Sequence, residues 1–275
     1  MRENFIYENH LGQRFDGLAN GVYLNQSDLR NYAWNYRTIN NRISGFYRGI
    51  RERNIPLVVH GMSADEATAA KNRLLEVAEA DIYAVIPGKV IIGDYYTMGY
   101  IIDSAKSDFL KLDKHTKIRL KMLSEDPAWY REKMHSFIPG GGNVAGGSGM
   151  DYPYDYPFDY AVSHAAQEII CDSIGSNAFR IRIYGAISNP AITIAGHTYS
   201  VNGTIAAGET LLIDSTTKKI TLTKADGSKV NWFDNRNRES YIFQEISAGQ
   251  HTVIWNEAFG FDLTIIEKRS EPRWT

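Results

Sequence analysis

The chain reads as mainly β, with an N-terminal β-barrel or curled sheet carrying one α-helix and a C-terminal β-sandwich. Three observations predict this. Aromatic residues make up 12% of the 275 residues, and many short β-branched runs accompany them, a composition that favours strands. Only one segment has a convincing helical period, which argues against a parallel βαβ array. A glycine run, Gly140–Gly149, then meets a tyrosine-proline-aspartate tract, Asp151–Tyr160. The glycines have no side chain to bury and lose much entropy if ordered. The prolines keep the tract extended. The expected division is therefore 1–139, a linker at 140–150, and 151–275. Each half is long enough to bury a core of its own.

In the first half, Tyr32-Ala33-Trp34-Asn35-Tyr36 alternates large aromatics with smaller residues, as a half-buried strand does. Ile55–Gly61 is a strand leading into the helix. Ser63-Ala64-Asp65-Glu66 is a capping box, and Ala67, Ala70, Leu74, Val77 and Ala78 follow at helical spacing. The helix is predicted from Ala64 to Ala80. Tyr83–Ile86 reads as a strand before the Pro87-Gly88 turn, followed by strands at Lys89–Asp94, Tyr100–Asp103 and Lys117–Leu123. An extended or short helical piece runs from Asp126 towards Pro139.

In the second half, strands are predicted at Glu168–Cys171, Phe179–Gly185, Ala191–Ile194, His197–Val201, Glu209–Asp214, Lys219–Lys224, Tyr241–Phe243, His251–Trp255 and Phe259–Ile266. Asp226-Gly227 is a hairpin turn. Short strands at regular spacing without a helical period predict a sandwich.

Chemistry is sparse. The formal net charge of −2 argues against a dedicated polyanion binder. The single cysteine, Cys171, excludes an intramolecular disulfide and sits in a strand, where it reads as a small hydrophobe. The N-terminal residues lack the apolar core of a signal peptide, and no run is long enough to span a membrane. The seven histidines show no metal-ligand spacing, and neither a nucleophile elbow nor a phosphate loop is present, so no catalytic, metal or cofactor residue is assigned. Asp151, Asp155 and Asp159 recur every four residues and read as a solvated acidic edge rather than a calcium loop. Two features qualify as partner contacts. Lys117, Arg119 and Lys121 place three cations on one strand face, and Tyr152, Tyr154 and Tyr156 line the extended arm.

The order of segments in the second half resembles a known family. Arg180–Gly185, Ser188–Gly196 with its Asn-Pro-x-Ile-x-Ile-x-Gly pattern, Gly208–Asp214, Ser247–Trp255 and Arg269–Trp274 resemble the C-terminal domain of distal tail proteins from long, non-contractile phage tails. The first half is similar to that family's N-terminal split barrel. The resemblance covers nearly the whole chain. It implies a hexameric ring at the tail tip, with split barrels forming the ring and galectin-like sandwiches projecting outwards. The implied partners are further copies of the chain, the tail tube protein, a tail-associated lysin or tip protein, and receptor-binding or tape-measure proteins. DNA would only pass through the ring. The implied place is the virion tail tip, assembled in a host bacterial cytoplasm, with no cofactor. A different reading is a carbohydrate-binding sandwich using Trp232 beside Asn231, Asp234, Asn235 and Arg236. A glycosidase would need two carboxylates across a cleft, and no local signature supports one.

Overall fold

The computed structural model describes residues 4–61, 63–106, 115–140 and 167–274. The fold is mainly β with one α-helix. Contacts divide it into two compact units: Met1–Arg131 with Lys268–Thr275, and Glu132–Glu267. The second unit is thus inserted into the first along the chain. This differs from the expected limits at both ends. Phe137, before the glycine run, stacks on Phe261 at 4.5 Å and belongs to the second core. The C-terminal tail belongs to the first unit, where Trp274 lies under the Arg30 guanidinium at 4.1 Å. Residues 141–166, which include most of the glycine run and the whole tyrosine arm, lie outside the described residues.

In the first unit, Arg51–His60 pairs antiparallel with His115–Ser124 over ten positions. His115–Ser124 pairs in turn with Tyr95–Lys106, and that strand with Gly88–Ile92. Ile6–Glu8 pairs with Gly88–Ile92 and Arg14–Asp16, and Val22–Leu24 joins Arg51–His60. Strict alternation buries Ile55, Leu57 and Val59 on one strand and Ile118, Leu120 and Met122 on its neighbour. The segment after Asp126 is the strand Trp129–Phe137.

The helix Ala64–Ala84 begins with the predicted capping box, Glu66 N–H donating to Ser63 Oγ and Ser63 N–H to the Glu66 carboxylate. Its buried face is the predicted Ala67, Ala70, Leu74, Val77 and Ala78, joined by Asp81. It continues one turn past the expected end, so Tyr83–Ile86 is a helix terminus rather than a strand. Asp81 pins this last turn: it accepts hydrogen bonds from Tyr7 Oη at 2.5 Å and from the His10 amide at 2.8 Å. Burial and that carboxylate push the Tyr7 hydroxyl pKa well up, so it remains a donor. Val85 then adopts a left-handed conformation and stops the helix.

Gly88 packs directly against this pair. A Cβ there would overlap the Asp81 carboxylate and the Tyr7 hydroxyl. Gly88→Ala is expected to cost about 2–3 kcal/mol through overpacking and a disturbed buried hydrogen bond, read as a lower urea midpoint at unchanged m-value.

Two further polar groups, Arg53 and the partly exposed Asp126, tie the first unit together. Arg53, fully buried, donates to Pro127 O at 2.6 Å and to Thr97 Oγ1 at 3.3 Å. Burial, with Arg51 nearby, lowers its guanidinium pKa to about 10, which still leaves it charged at neutral pH. Burial works against ionisation of Asp126, yet hydrogen bonds from Lys268 and Tyr130 outweigh it and hold the carboxyl below its ordinary range.

In the second unit, Ala178–Tyr184 lies between Thr210–Asp214 and Phe261–Arg269, and Lys219–Thr223 and Lys229–Asn231 extend the sheet. The other sheet runs Gln167–Cys171, Gly249–Trp255, Ala191–Ile194, His197–Ser200. Phe179, Ile181, Ile183, Leu211 and Ile213 from the first sheet share one core with Ile169, Ile192, Ile194, Val253 and Trp255 from the second, which makes a sandwich. Tyr241–Phe243 is a turn rather than a strand. The Gln244 amide closes it onto Tyr241 O at 3.0 Å, and Tyr199 Oη donates to Gln244 O at 2.7 Å.

Candidate interaction surfaces

The first surface is a hairpin that joins no other strand among the described residues. Asn35–Ile39 pairs only with Arg42–Tyr47, and the turn residues Asn40 and Asn41 have φ of 49° and 60°. Positive φ at both central positions is the geometry of a tight hairpin turn matched to strand twist, and asparagine tolerates it. Both faces of the ribbon are open. Trp34, Tyr36, Ile39, Ile43, Phe46 and Tyr47 are all exposed, Tyr36 by 63% and Phe46 by 62%. Of the expected half-buried strand at Tyr32–Tyr36 only Asn35 and Tyr36 are paired, with Tyr47 and Phe46, and all five residues are exposed rather than half-buried. Between Asp28 and Glu52 the chain carries Arg30, Arg37, Arg42, Arg48 and Arg51 and no carboxylate. Arg48 lies over Trp34 at 4.1 Å and Arg37 over Tyr47 at 5.0 Å, so part of this charge rests on aromatic faces. The base is clamped: Arg48 donates to Ser270 Oγ at 3.1 Å, Arg30 to Pro272 O at 2.8 Å, and Trp129 Nε1 to Leu29 O at 3.3 Å.

The second surface is the predicted cationic strand. Lys117 and Arg119 are exposed on the outward face, opposite Val58 and Pro56 of the neighbouring strand. Lys121 is only partly exposed and pairs with Glu52 at 3.1 Å. A register shift between Ile101 and Asp103 sets Lys106 opposite Ile118, and Lys106, Lys117 and Arg119 all border a hollow of about 280 Å³. Nothing in the sequence points to Lys106, because that shift is a tertiary feature.

The remaining candidates separate. Trp232 is half-buried against the second core, and its ring edge lies close to Gly203, where a Cβ would sit 2.9 Å from it. Its polar neighbours bond to backbone: Asn231 accepts from the Phe233 amide and Asn235 donates to Asn202 O. Tyr152, Tyr154 and Tyr156 lie outside the described residues. Cys171 is buried, and burial pushes its thiol pKa up, away from the thiolate a nucleophile needs. Among the described residues no cluster of three or more histidine, cysteine or acidic side chains could hold a metal ion. Among the described residues no helix is long and apolar enough to cross a membrane.

The described residues form a mainly β protein of two compact units. No family model matches the chain, and no curated protein matches it in sequence. Its fold, however, matches solved structures over nearly its full length. One is the SPP1 Dit protein (gp 19.1), described as a paradigm of the hub adsorption apparatus in phages infecting Gram-positive bacteria, with a TM-score of 0.58 and 12% identity over 96% of this chain and 99% of that one. Another is a chain of the phage P2 baseplate in its activated conformation with Ca, with a TM-score of 0.61 and 15% identity over 99% of this chain and all of that one. A third, from the phage p2 baseplate activated with Sr, has a TM-score of 0.58 and 16% identity at the same coverage. The chain shares the fold of these phage hub and baseplate proteins.

Proposed function

We propose that the chain is a structural hub of a phage tail tip, not an enzyme: copies form a ring, hexameric by the family resemblance, that joins the tail tube to tail-associated and receptor-binding proteins around a channel for DNA. The observation that carries this reading is the uncovered hairpin. A two-stranded ribbon is marginal in water by itself, and exposed apolar area of this extent marks an interaction site. A partner that covers it supplies the missing burial.

The complement is present on the same chain. The outward side of the helix carries Asp65, Glu66, Glu76 and Glu79 against Lys71 and Arg73, and its end exposes Tyr83 and Val85. An arginine-rich aromatic ribbon on one copy fits an acidic, apolar-ended helix on the next. Such a contact joins two different patches, repeats around an axis and closes into a ring. The Lys117–Arg119 strand remains as a second cationic face for a tail protein or the passing DNA.

Light scattering during size exclusion tests the assembly. The expected mass at high protein concentration is that of six copies of the 31.0 kDa chain. A monomer at every concentration, with and without the tube protein, would refute the ring.

A further inference from the structure

A groove in the second unit, away from the features used above, has the chemistry of a ligand site. It is an open hollow of about 470 Å³ beside the turn Phe233–Asn235 and the loop that follows, within the roughly 300–1,000 Å³ typical of small-molecule sites. Aromatic rings line it. Phe233 stacks on Phe243 with centroids 6.1 Å apart, and Tyr241 stands edge-on to Phe243 at 6.0 Å. Phe243 is buried, whereas Tyr241 is 56% exposed and offers a ring to solvent.

Cations surround the rings. Lys218 Nζ lies 5.6 Å from the centroids of both Tyr241 and Phe243. Arg236 covers Phe233 at 4.0 Å and donates to Phe233 O at 2.8 Å, which fixes its guanidinium. Arg238 is exposed on the lining, and neither it nor Lys218 forms an ion pair among the described residues. Against these three cations the lining holds one carboxylate, Glu239. Asp234, 3.8 Å from Arg236 at the margin, is almost wholly exposed. In a chain of net charge −2, a groove with this local excess of positive charge is set up for an anion.

We infer that this groove binds a saccharide unit carrying a carboxylate or a phosphate. The exposed Tyr241 ring suits the apolar C–H face of a sugar. Lys218 and Arg238 supply the charge, and a guanidinium pairs well with carboxylate or phosphate oxygens. The Asn237 amide offers a hydroxyl partner. An acidic peptide fits less well, since extended peptides are held by main-chain pairing to a strand edge and this lining is a turn and a loop.

Calorimetric titration of the full chain tests this with four probes: trigalacturonate, glucose 6-phosphate, neutral galactotriose and a tetraglutamate peptide. Saturable binding of either charged saccharide, at least about fivefold tighter than the neutral sugar and weakened by added salt, supports the site. The probe that binds identifies the anion. Tyr241→Ala and Arg238→Ala should each weaken that binding about tenfold while the melting temperature holds, because both side chains are exposed. Equal affinity for the neutral sugar, tighter binding of the peptide, wild-type affinity in both variants, or no saturable binding of either charged saccharide at millimolar concentration would overturn it.

Discussion

Replacing Tyr36 and Phe46 together with serine is expected to abolish the proposed assembly and leave monomers. The two residues face each other across the hairpin, and both are more than half exposed. Aromatic residues at the centre of an interface commonly contribute about 2 kcal/mol or more each, so the double variant should raise the association constant's midpoint concentration by about 100-fold or more. Exposed positions contribute little to the isolated chain, and the variant's melting temperature should stay within about 2 °C of the parent. Sedimentation velocity and a thermal melt on the same sample check both parts. Lost assembly with an unchanged melt supports an interface role, whereas a large drop in melting temperature would show that the hairpin is structural within one chain.

Trp129→Ala has the largest expected effect on folding. The side chain is fully buried in the first core, and its indole N–H donates to Leu29 O. Removing a buried tryptophan costs about 3–5 kcal/mol, which corresponds to a melting temperature lower by roughly 10 °C or more for a unit of this size. Trp129→Phe keeps most of the bulk and loses the hydrogen bond, so it should cost about 1–3 kcal/mol. Leu29 immediately precedes Arg30 at the hairpin base, so the alanine variant should also weaken assembly beyond its effect on the melt. Differential scanning calorimetry beside sedimentation separates the two effects.

The residues differ in how much of this they announce. The helix start and its whole buried face are written in Ser63, Glu66 and the alanine-leucine-valine stripe, because capping and amphipathic period are local. The longer sandwich strands, such as Gln167–Cys171, Ala178–Tyr184, Thr210–Asp214 and Gly249–Trp255, are legible for the same reason, since alternation is a property of a short window, whereas Ile187–Ser188, Thr204–Ile205 and Lys229–Asn231 are too short to show it. The last turn of the helix is not, because it depends on Tyr7 and His10 reaching Asp81 from more than 70 positions away. The hairpin misleads: alternating aromatics look like core, and only tertiary placement shows that they stay exposed among the described residues. The short strands Ile6–Glu8, Arg14–Asp16 and Val22–Leu24 are too brief to carry a period. The groove beside Tyr241 gathers Lys218 with residues about 20 positions later, and the aromatic run Tyr241–Phe243 reads as a strand until the Gln244 turn is seen.

The central claim is that identical copies join through the hairpin of one and the helix-bearing side of the next. Electron cryomicroscopy of the assembled full chain tests it directly. The account predicts closed rings, six copies in each, with the Asn35–Tyr47 ribbon buried against the neighbouring copy's helix. Rings in which that ribbon stays in solvent, or particles that never close, would contradict it.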